Sequence, residues 1–155
     1  FTNIFTQNRW GSDESVSGRG SEMVQTFEVR AALASVLSRH AISSMVDAPC
    51  GDFNWMRHVM ADFPDVAYTG IDIVEPIIQK LQGEYAGNDR LTFESRDITT
   101  DPLPKADLII SRDCLVHLSL EDGVKALANF KCSGSRLLLA TQYPAIETNV
   151  DTENG

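Results

Sequence analysis

The fold of this chain is decided by the stretch Val46-Asp47-Ala48-Pro49-Cys50-Gly51-Asp52. It begins in a short apolar segment, turns sharply at proline and glycine, and leads into a pattern of apolar residues between Trp55 and Met60. A short apolar run that ends at turn residues is typical of a buried strand, and apolar spacings of three and four indicate a helix. We therefore predict a strand over Met45–Ala48, a tight turn, and a helix with Asp52 as its N-cap.

The same alternation of strand and helix continues along the chain. Further strands are predicted at Val66–Ile73, Leu91–Ser95, Ala106–Ser111 and Arg136–Ala140. Between them, Pro76 suits the first turn of a helix, and Ser119 suits an N-cap. Apolar strands that alternate with helices predict a mostly parallel sheet covered on both faces, which is a Rossmann-like, doubly wound α/β domain.

A helix is also predicted before the first strand. It would run from Ser21, as N-cap, to about Arg39. Apolar residues at spacings of three and four would form its buried stripe, and these are Val24, Phe27, Ala31, Ala34 and Val36 or Leu37. Residues 1–20 have no such period, so we predict that they form an N-terminal arm and consider a lid as its role. One domain is predicted to follow over residues 21–155.

Three acidic residues stand at the carboxyl ends of three successive predicted strands: Asp47 and Asp72 lie at the ends of the first two, and Asp97 follows the third. The carboxyl ends of parallel strands meet at one edge of a sheet, where ligands of such folds bind. Asp72 can accept both hydroxyl groups of a ribose, and Asp97 suits the exocyclic amine of a base. Together the three acids predict a slot for a nucleoside.

The turn after the first strand narrows the choice of nucleoside ligand. A dinucleotide site needs several glycines that let backbone amides approach a pyrophosphate, but here only Gly51 remains and Pro49 has no amide hydrogen. Asp52 would also place negative charge beside phosphates. The ammonium and sulfonium groups of S-adenosylmethionine suit Asp47 and Asp52 better. A nicotinamide-dependent oxidoreductase is therefore the less favoured alternative.

Four blocks of the sequence resemble, in order, the motifs of class I S-adenosylmethionine-dependent methyltransferases: residues 46–52, 68–73, 96–98 and 107–119. More closely, residues 9–15, 49–55, 112–119 and 133–135 resemble a bacterial methyltransferase family whose substrates are largely unassigned. Two of the usual glycine positions in the first motif hold Pro49 and Phe53. The superfamily has seven strands, so we expect the C-terminal strands of the fold to be missing from this chain.

This resemblance implies roles for individual residues. The turn residues Pro49, Cys50, Gly51 and Asp52 would surround the methionine part of the cofactor, and Gly51 would let the backbone approach it. Asp72 would hold the ribose, Ile73 would pack on the adenine, and Asp97 with the Ile98 amide would bind the adenine edge. Arg112 would bind the cofactor carboxylate. Apart from the resemblance, Trp10 is the one large apolar residue of the polar arm, and we therefore expect it to close the site. The candidate catalytic residues are His117, as a proton acceptor, and Asp113.

Composition excludes several other classes of function. The chain has 155 residues and a net charge of −9, which disfavours nucleic acid and anionic membranes as partners. No apolar run approaches the roughly 20 residues that span a bilayer. Its three cysteines form no paired motif, so we expect the chain to have no metal site and no disulfide bonds. Free cysteines favour a reducing, cytoplasmic location. The oligomeric state is not encoded in any readable pattern.

The sequence thus predicts a methyltransferase that uses S-adenosylmethionine, releases S-adenosylhomocysteine, and methylates an oxygen or nitrogen of a small-molecule or glycan-type acceptor. A non-catalytic, cofactor-binding or scaffold module is the alternative from another functional class.

Overall fold

A computed structural model describes residues 11–145, 148, 150 and 151 of the chain. Its helices and strands alternate after a first helix, α1. In chain order they are α1 (Phe27–Arg39), β1 (Ser44–Asp47), α2 (Met56–Asp62), β2 (Ala67–Asp72), α3 (Glu75–Glu84), β3 (Leu91–Ser95), β4 (Leu108–Ser111), α4 (Leu120–Cys132) and β5 (Leu137–Ala140). Short 3-10 turns lie at Arg19–Ser21 and Leu115–His117.

The five strands form one sheet in the order β3-β2-β1-β4-β5. Each neighbouring pair is parallel, so the predicted doubly wound α/β class is confirmed. The chain moves outward from β1 to β3 and then crosses to the other side of β1 with β4. The crevice of such folds opens at this switch point, between the loops that follow β1 and β4.

The inner strands of the sheet are largely buried on both faces, which explains why they are almost continuously apolar. Successive strand residues point to opposite faces. Met45 packs into a core cluster with residues of α1, α2 and α3, whereas Val46 packs into a second cluster with Ala126 and Phe130 of α4. The loops at the strand ends are therefore held by a sheet that is fixed from both sides.

The predicted start of the first helix is wrong, and its predicted buried stripe is confirmed only at Leu37, since Val24, Phe27 and Ala31 are exposed. The helix begins at Phe27 with Thr26 at its N-cap, and Ser21 belongs to a separate 3-10 turn. Val24 and Phe27 are 73% and 68% exposed, while Leu33 and Leu37 are buried. Two apolar stripes coexist in this segment, and packing selects the one whose leucines bury more apolar surface.

The predicted caps of the later helices have different outcomes. Asp52 is not an N-cap, because α2 begins at Met56 with Trp55 at the cap position. Ser119 is confirmed as the cap of α4, since its Oγ accepts a hydrogen bond from the Asp122 amide at 3.2 Å. Pro76 lies in the first turn of α3, as predicted. Among the described residues, no helix has both the length and the apolar character needed to cross a membrane.

Candidate functional site

A cavity of about 650 Å³ opens at the carboxyl ends of the strands. Its walls come from the arm and from the loops that follow β1, β2, β3 and β4. All the predicted site residues that the structure describes line it, namely Asp47, Pro49, Cys50, Gly51, Asp52, Asp72, Ile73, Asp97, Ile98, Arg112, Asp113 and His117. Trp10 lies outside the described residues.

Asp72 connects two of the loops around the cavity. Its Oδ2 accepts a hydrogen bond from the Gly51 amide at 3.0 Å, and its Oδ1 accepts one from the Val74 amide at 2.9 Å. The side chain is only 7% exposed, and burial raises the pKa of this carboxyl group. Asp72 thus fixes the turn after β1 against the turn after β2.

Asp47 lies deeper, at the end of β1. Its Oδ2 accepts a hydrogen bond from the hydroxyl group of Tyr68 at 2.9 Å. Burial raises the pKa of Asp47 to about 7, and the nearby negative charge of Asp72 acts in the same direction. A buried carboxylate in this state is stabilised when a cation approaches it. Tyr68 is not among the predicted site residues, because its place in the sequence indicates only a position in an apolar strand.

Burial disfavours the thiolate form of the two cysteines that line the cavity, Cys50 and Cys114. Burial raises the pKa of the Cys50 thiol well above its usual value and that of the Cys114 thiol to about 12. Both thiols are therefore protonated at neutral pH, and a thiol is a poor nucleophile compared with its thiolate.

Gly51 is the point at which the arm meets the turn after β1. Its φ of +54° lies in the left-handed region, which glycine adopts without the penalty of a Cβ. A Cβ at this position would lie only 2.2 Å from the Oγ of Ser17. The absence of a side chain at Gly51 therefore gives space to the arm.

Asp52 holds the arm in that position. Its carboxylate accepts hydrogen bonds from the Ser15 hydroxyl at 3.0 Å, the Val16 amide at 2.9 Å and the Ser17 hydroxyl at 3.2 Å. The Asp52 amide in turn donates to the Oγ of Ser17 at 2.9 Å. We call the contacts of Ser15, Val16 and Ser17 with Asp52 the arm clamp. No sequence pattern predicts the arm clamp, because serines beside glycines are typical of any loop.

Asp97 forms a tight turn after β3. Its Oδ1 accepts hydrogen bonds from the amide and the hydroxyl of Thr99, at 2.8 and 2.7 Å. Its Oδ2 has no hydrogen-bond partner among the described residues. The neighbouring Ile98 is 8% exposed and lines the cavity. This corner therefore combines an apolar surface with a carboxylate oxygen that has capacity for a ligand.

Arg112 and Asp113 form the wall that follows β4. Nη2 of Arg112 donates to the Gly20 carbonyl at 2.9 Å and lies 2.9 Å from Oδ2 of Asp113. The guanidinium group also lies 5.8 Å from the centre of the Trp55 ring, within the range of a cation–π contact. Arg112 thus joins the arm to the loop after β4.

The candidate catalytic residues stand on this same loop. Asp113 adopts a φ of +48°, its amide donates to the Thr141 hydroxyl at 2.9 Å, and its Oδ1 accepts from the Tyr143 hydroxyl at 3.2 Å. His117 lies four residues later, in the second 3-10 turn. Tyr143 also lines the cavity and was missed, since it follows β5 in a polar segment. In the described part of the chain, no three side chains are grouped as metal ligands.

Comparison with known proteins gives one family and a set of relatives. The model of the family described as "Methyltransferase domain" matches residues 46–133. A phosphoethanolamine N-methyltransferase of Plasmodium falciparum (isolate 3D7) is 39% identical over 84 residues, which are 50% of this chain and 31% of the relative. The chain thus spans about a third of that relative's length.

Solved structures share the fold at low sequence identity. The structure of human N-acetylserotonin methyltransferase in complex with S-adenosylmethionine matches with a TM-score of 0.52 and 17% identity. The match covers 84% of this chain and 44% of the human chain. A Burkholderia thailandensis 1,6-didemethyltoxoflavin-N1-methyltransferase has a TM-score of 0.61 and 20% identity, covering 86% and 54%.

Proposed function

Since the chain belongs to the methyltransferase-domain family, among the class I S-adenosylmethionine-dependent methyltransferases, we propose that it binds S-adenosylmethionine in this cavity and transfers the methyl group to a small acceptor. The observation that carries the proposal is the convergence of Asp47, Asp72 and Asp97 on one cavity from the ends of three neighbouring strands. The cavity volume lies within the range of roughly 300–1,000 Å³ that small-molecule sites occupy.

The residues present fit the cofactor's chemistry. Asp72 is fixed by the Gly51 and Val74 amides and offers its remaining lone pairs to the ribose hydroxyls. Ile73 and Ile98 supply apolar surface for the adenine, and Oδ2 of Asp97 has capacity for its amine. Asp47, whose charge is costly when it is buried alone, supplies a partner for the cationic end of the ligand.

When bound, S-adenosylmethionine supplies a methyl group on a sulfonium centre. The chain's own task is then to align the acceptor and exclude water, and alignment alone can lower the barrier substantially. His117 is proposed to accept the proton of a hydroxyl or amine acceptor, because it lines the cavity and a neutral imidazole can act as a general base. Asp113, held by Arg112 and Tyr143, is proposed to orient that acceptor.

Support for a nitrogen or oxygen acceptor comes from the names of similar proteins. The phosphoethanolamine and 1,6-didemethyltoxoflavin enzymes are N-methyltransferases, and a further solved structure that shares the fold is a mitomycin 7-O-methyltransferase. The negative charge of the chain adds a reason to favour small metabolites over nucleic acid.

The free thiols of Cys50, Cys114 and Cys132 suit a reducing, cytoplasmic environment.

The arm is proposed to act as a lid over the bound cofactor. Residues 16–21 already form one wall of the cavity, and the arm clamp fixes them against the turn after β1. A closed wall excludes water from the reacting centre and strengthens the electrostatic contacts inside. The proposed closing role of Trp10 extends this lid beyond the described residues.

Isothermal titration calorimetry tests the choice of cofactor. We expect the chain to bind S-adenosylhomocysteine and S-adenosylmethionine, and to show no binding of a nicotinamide dinucleotide, because a single glycine leaves too few amides for a pyrophosphate. Binding of the dinucleotide in place of both sulfur ligands would contradict the proposal. Transfer of an isotopically labelled methyl group to amine or hydroxyl acceptors then separates an enzyme from a binding module.

A further inference from the structure

We propose that Arg19, on the arm, binds the α-carboxylate of S-adenosylmethionine. This inference rests on the proposed function and adds to it a contact from outside the matched family region, since residue 19 precedes residues 46–133. The cofactor's amino-acid end carries one carboxylate and one ammonium group. A site for it must therefore offer a cation as well as an acid.

Three arginines line the cavity, and two of them are engaged elsewhere. Arg112 donates to the Gly20 carbonyl, pairs with Asp113 and packs over Trp55. Arg96 pairs with Glu94 and donates to the Pro102 carbonyl. Both guanidinium groups thus serve to hold loops together, which leaves Arg19 as the arginine with most capacity for a ligand.

Arg19 is positioned by one hydrogen bond that leaves its terminal nitrogens available. Its Nε–H donates to the Gly11 carbonyl at 3.3 Å. Within the described residues, Nη1 and Nη2 form no hydrogen bond or ion pair. A guanidinium group held through Nε can present its two terminal N–H groups to a carboxylate, which is a favourable geometry for arginine.

The position of Arg19 matches the methionine end of the cavity. It follows Ser17, which contacts the turn after β1, by two residues, and it precedes Gly20, which contacts Arg112 after β4. Arg19 therefore lies between the loops after β1 and β4. The adenine corner at Asp97 follows β3, on the far side of β2 in the strand order. A ligand with its adenine there directs its amino-acid end toward the arm.

The negative charge of the cavity favours a cation at the end that receives the carboxylate. Five aspartates line it: Asp47, Asp52, Asp72, Asp97 and Asp113. An anionic group that enters such surroundings is repelled unless a positive side chain accompanies it. Arg112 was the arginine that the family resemblance pointed to for this contact, but its engagement with Gly20 and Asp113 favours Arg19 as the main partner.

The test compares two ligands that differ at the amino-acid end. S-adenosylhomocysteine carries the carboxylate, whereas 5′-methylthioadenosine keeps the adenosine and sulfur but has no amino-acid end. We expect Arg19→Gln to weaken binding of S-adenosylhomocysteine about tenfold, as for loss of one charged hydrogen-bonded contact. Binding of 5′-methylthioadenosine should be unchanged, and Arg19→Lys should restore part of the lost affinity.

Arg39→Gln is the matched control, because Arg39 is an exposed arginine at the end of α1 and does not line the cavity. If wild type binds S-adenosylhomocysteine and Arg19→Gln binds it equally well, the assignment of Arg19 is overturned and the proposed function stands. If the variant loses both ligands equally, Arg19 supports the arm and the assignment is also overturned. If wild type binds neither ligand, the proposed function itself fails.

Discussion

Asp72→Ala is expected to weaken binding of S-adenosylhomocysteine about thirtyfold, which corresponds to roughly 2 kcal/mol, because charged hydrogen bonds are worth about 1.5–3 kcal/mol. The carboxylate that is lost would accept both ribose hydroxyls. It also holds the Gly51 amide, so the turn beside the methionine part of the ligand loses its support. Calorimetric titration of the purified variant measures the change.

The variant should remain folded, since the loss of two hydrogen bonds is offset by removal of a buried charge whose pKa is raised by desolvation. Thermal unfolding of the ligand-free variant checks this. Asp65→Ala is the control for a lost negative charge, because Asp65 is exposed and lies away from the cavity. An unchanged dissociation constant for Asp72→Ala would mean that Asp72 serves only the turn.

Gly51→Ala should displace the arm and destabilise the domain. An alanine in the left-handed region costs about 1–2 kcal/mol, and forcing its Cβ against a packed neighbour adds roughly 1–3 kcal/mol. That neighbour is Ser17, whose Oγ would lie 2.2 Å from the new Cβ. We expect a lower unfolding temperature and weaker binding of S-adenosylhomocysteine, both measured on the same preparation.

Two variants separate the contribution of backbone strain from that of the clash. Gly87 also has a positive φ, of +86°, but a Cβ there meets nothing within 4 Å, so Gly87→Ala should show the strain alone. Adding Ser17→Gly to Gly51→Ala removes the clashing side chain together with its hydrogen bonds to Asp52, so it should recover only the part of the loss that the clash causes. Equal destabilisation by Gly51→Ala and Gly87→Ala would show that the contact between the arm and Gly51 contributes nothing.

The sheet was predictable from sequence because its signals are local. Apolar strands bounded by turn residues gave five strands, and boundaries moved by only one or two residues, as where β4 begins at Leu108 rather than Ala106. Pro76 and Ser119 act through neighbours within one helical turn, so their positions could also be predicted. The grouping of the acids at one edge of the sheet could be predicted because parallel strands have their carboxyl ends at the same edge.

The contacts of the arm could not be predicted, because they join residues far apart in the chain. Ser17 binds Asp52 across 35 residues, and Gly20 binds Arg112 across 92. A Ser/Gly segment has no apolar period that would indicate where it packs. Asp52 was mistaken for a helix cap for the same reason: an acid before a helix has a common local role, whereas its actual partners lie in a distant segment.

Hydrogen exchange with and without S-adenosylhomocysteine tests most directly the central claim that the cofactor binds at the carboxyl ends of the strands beneath the arm. We predict that the ligand slows exchange in residues 12–20, 47–55 and 112–118. Exchange at residues 105–107 should be unchanged, because they lie at the opposite edge of the sheet, where Asp107 binds Ser43. Two results at saturating ligand would contradict the account. One is slower exchange at this opposite edge, and the other is unchanged exchange in the arm and the two loops.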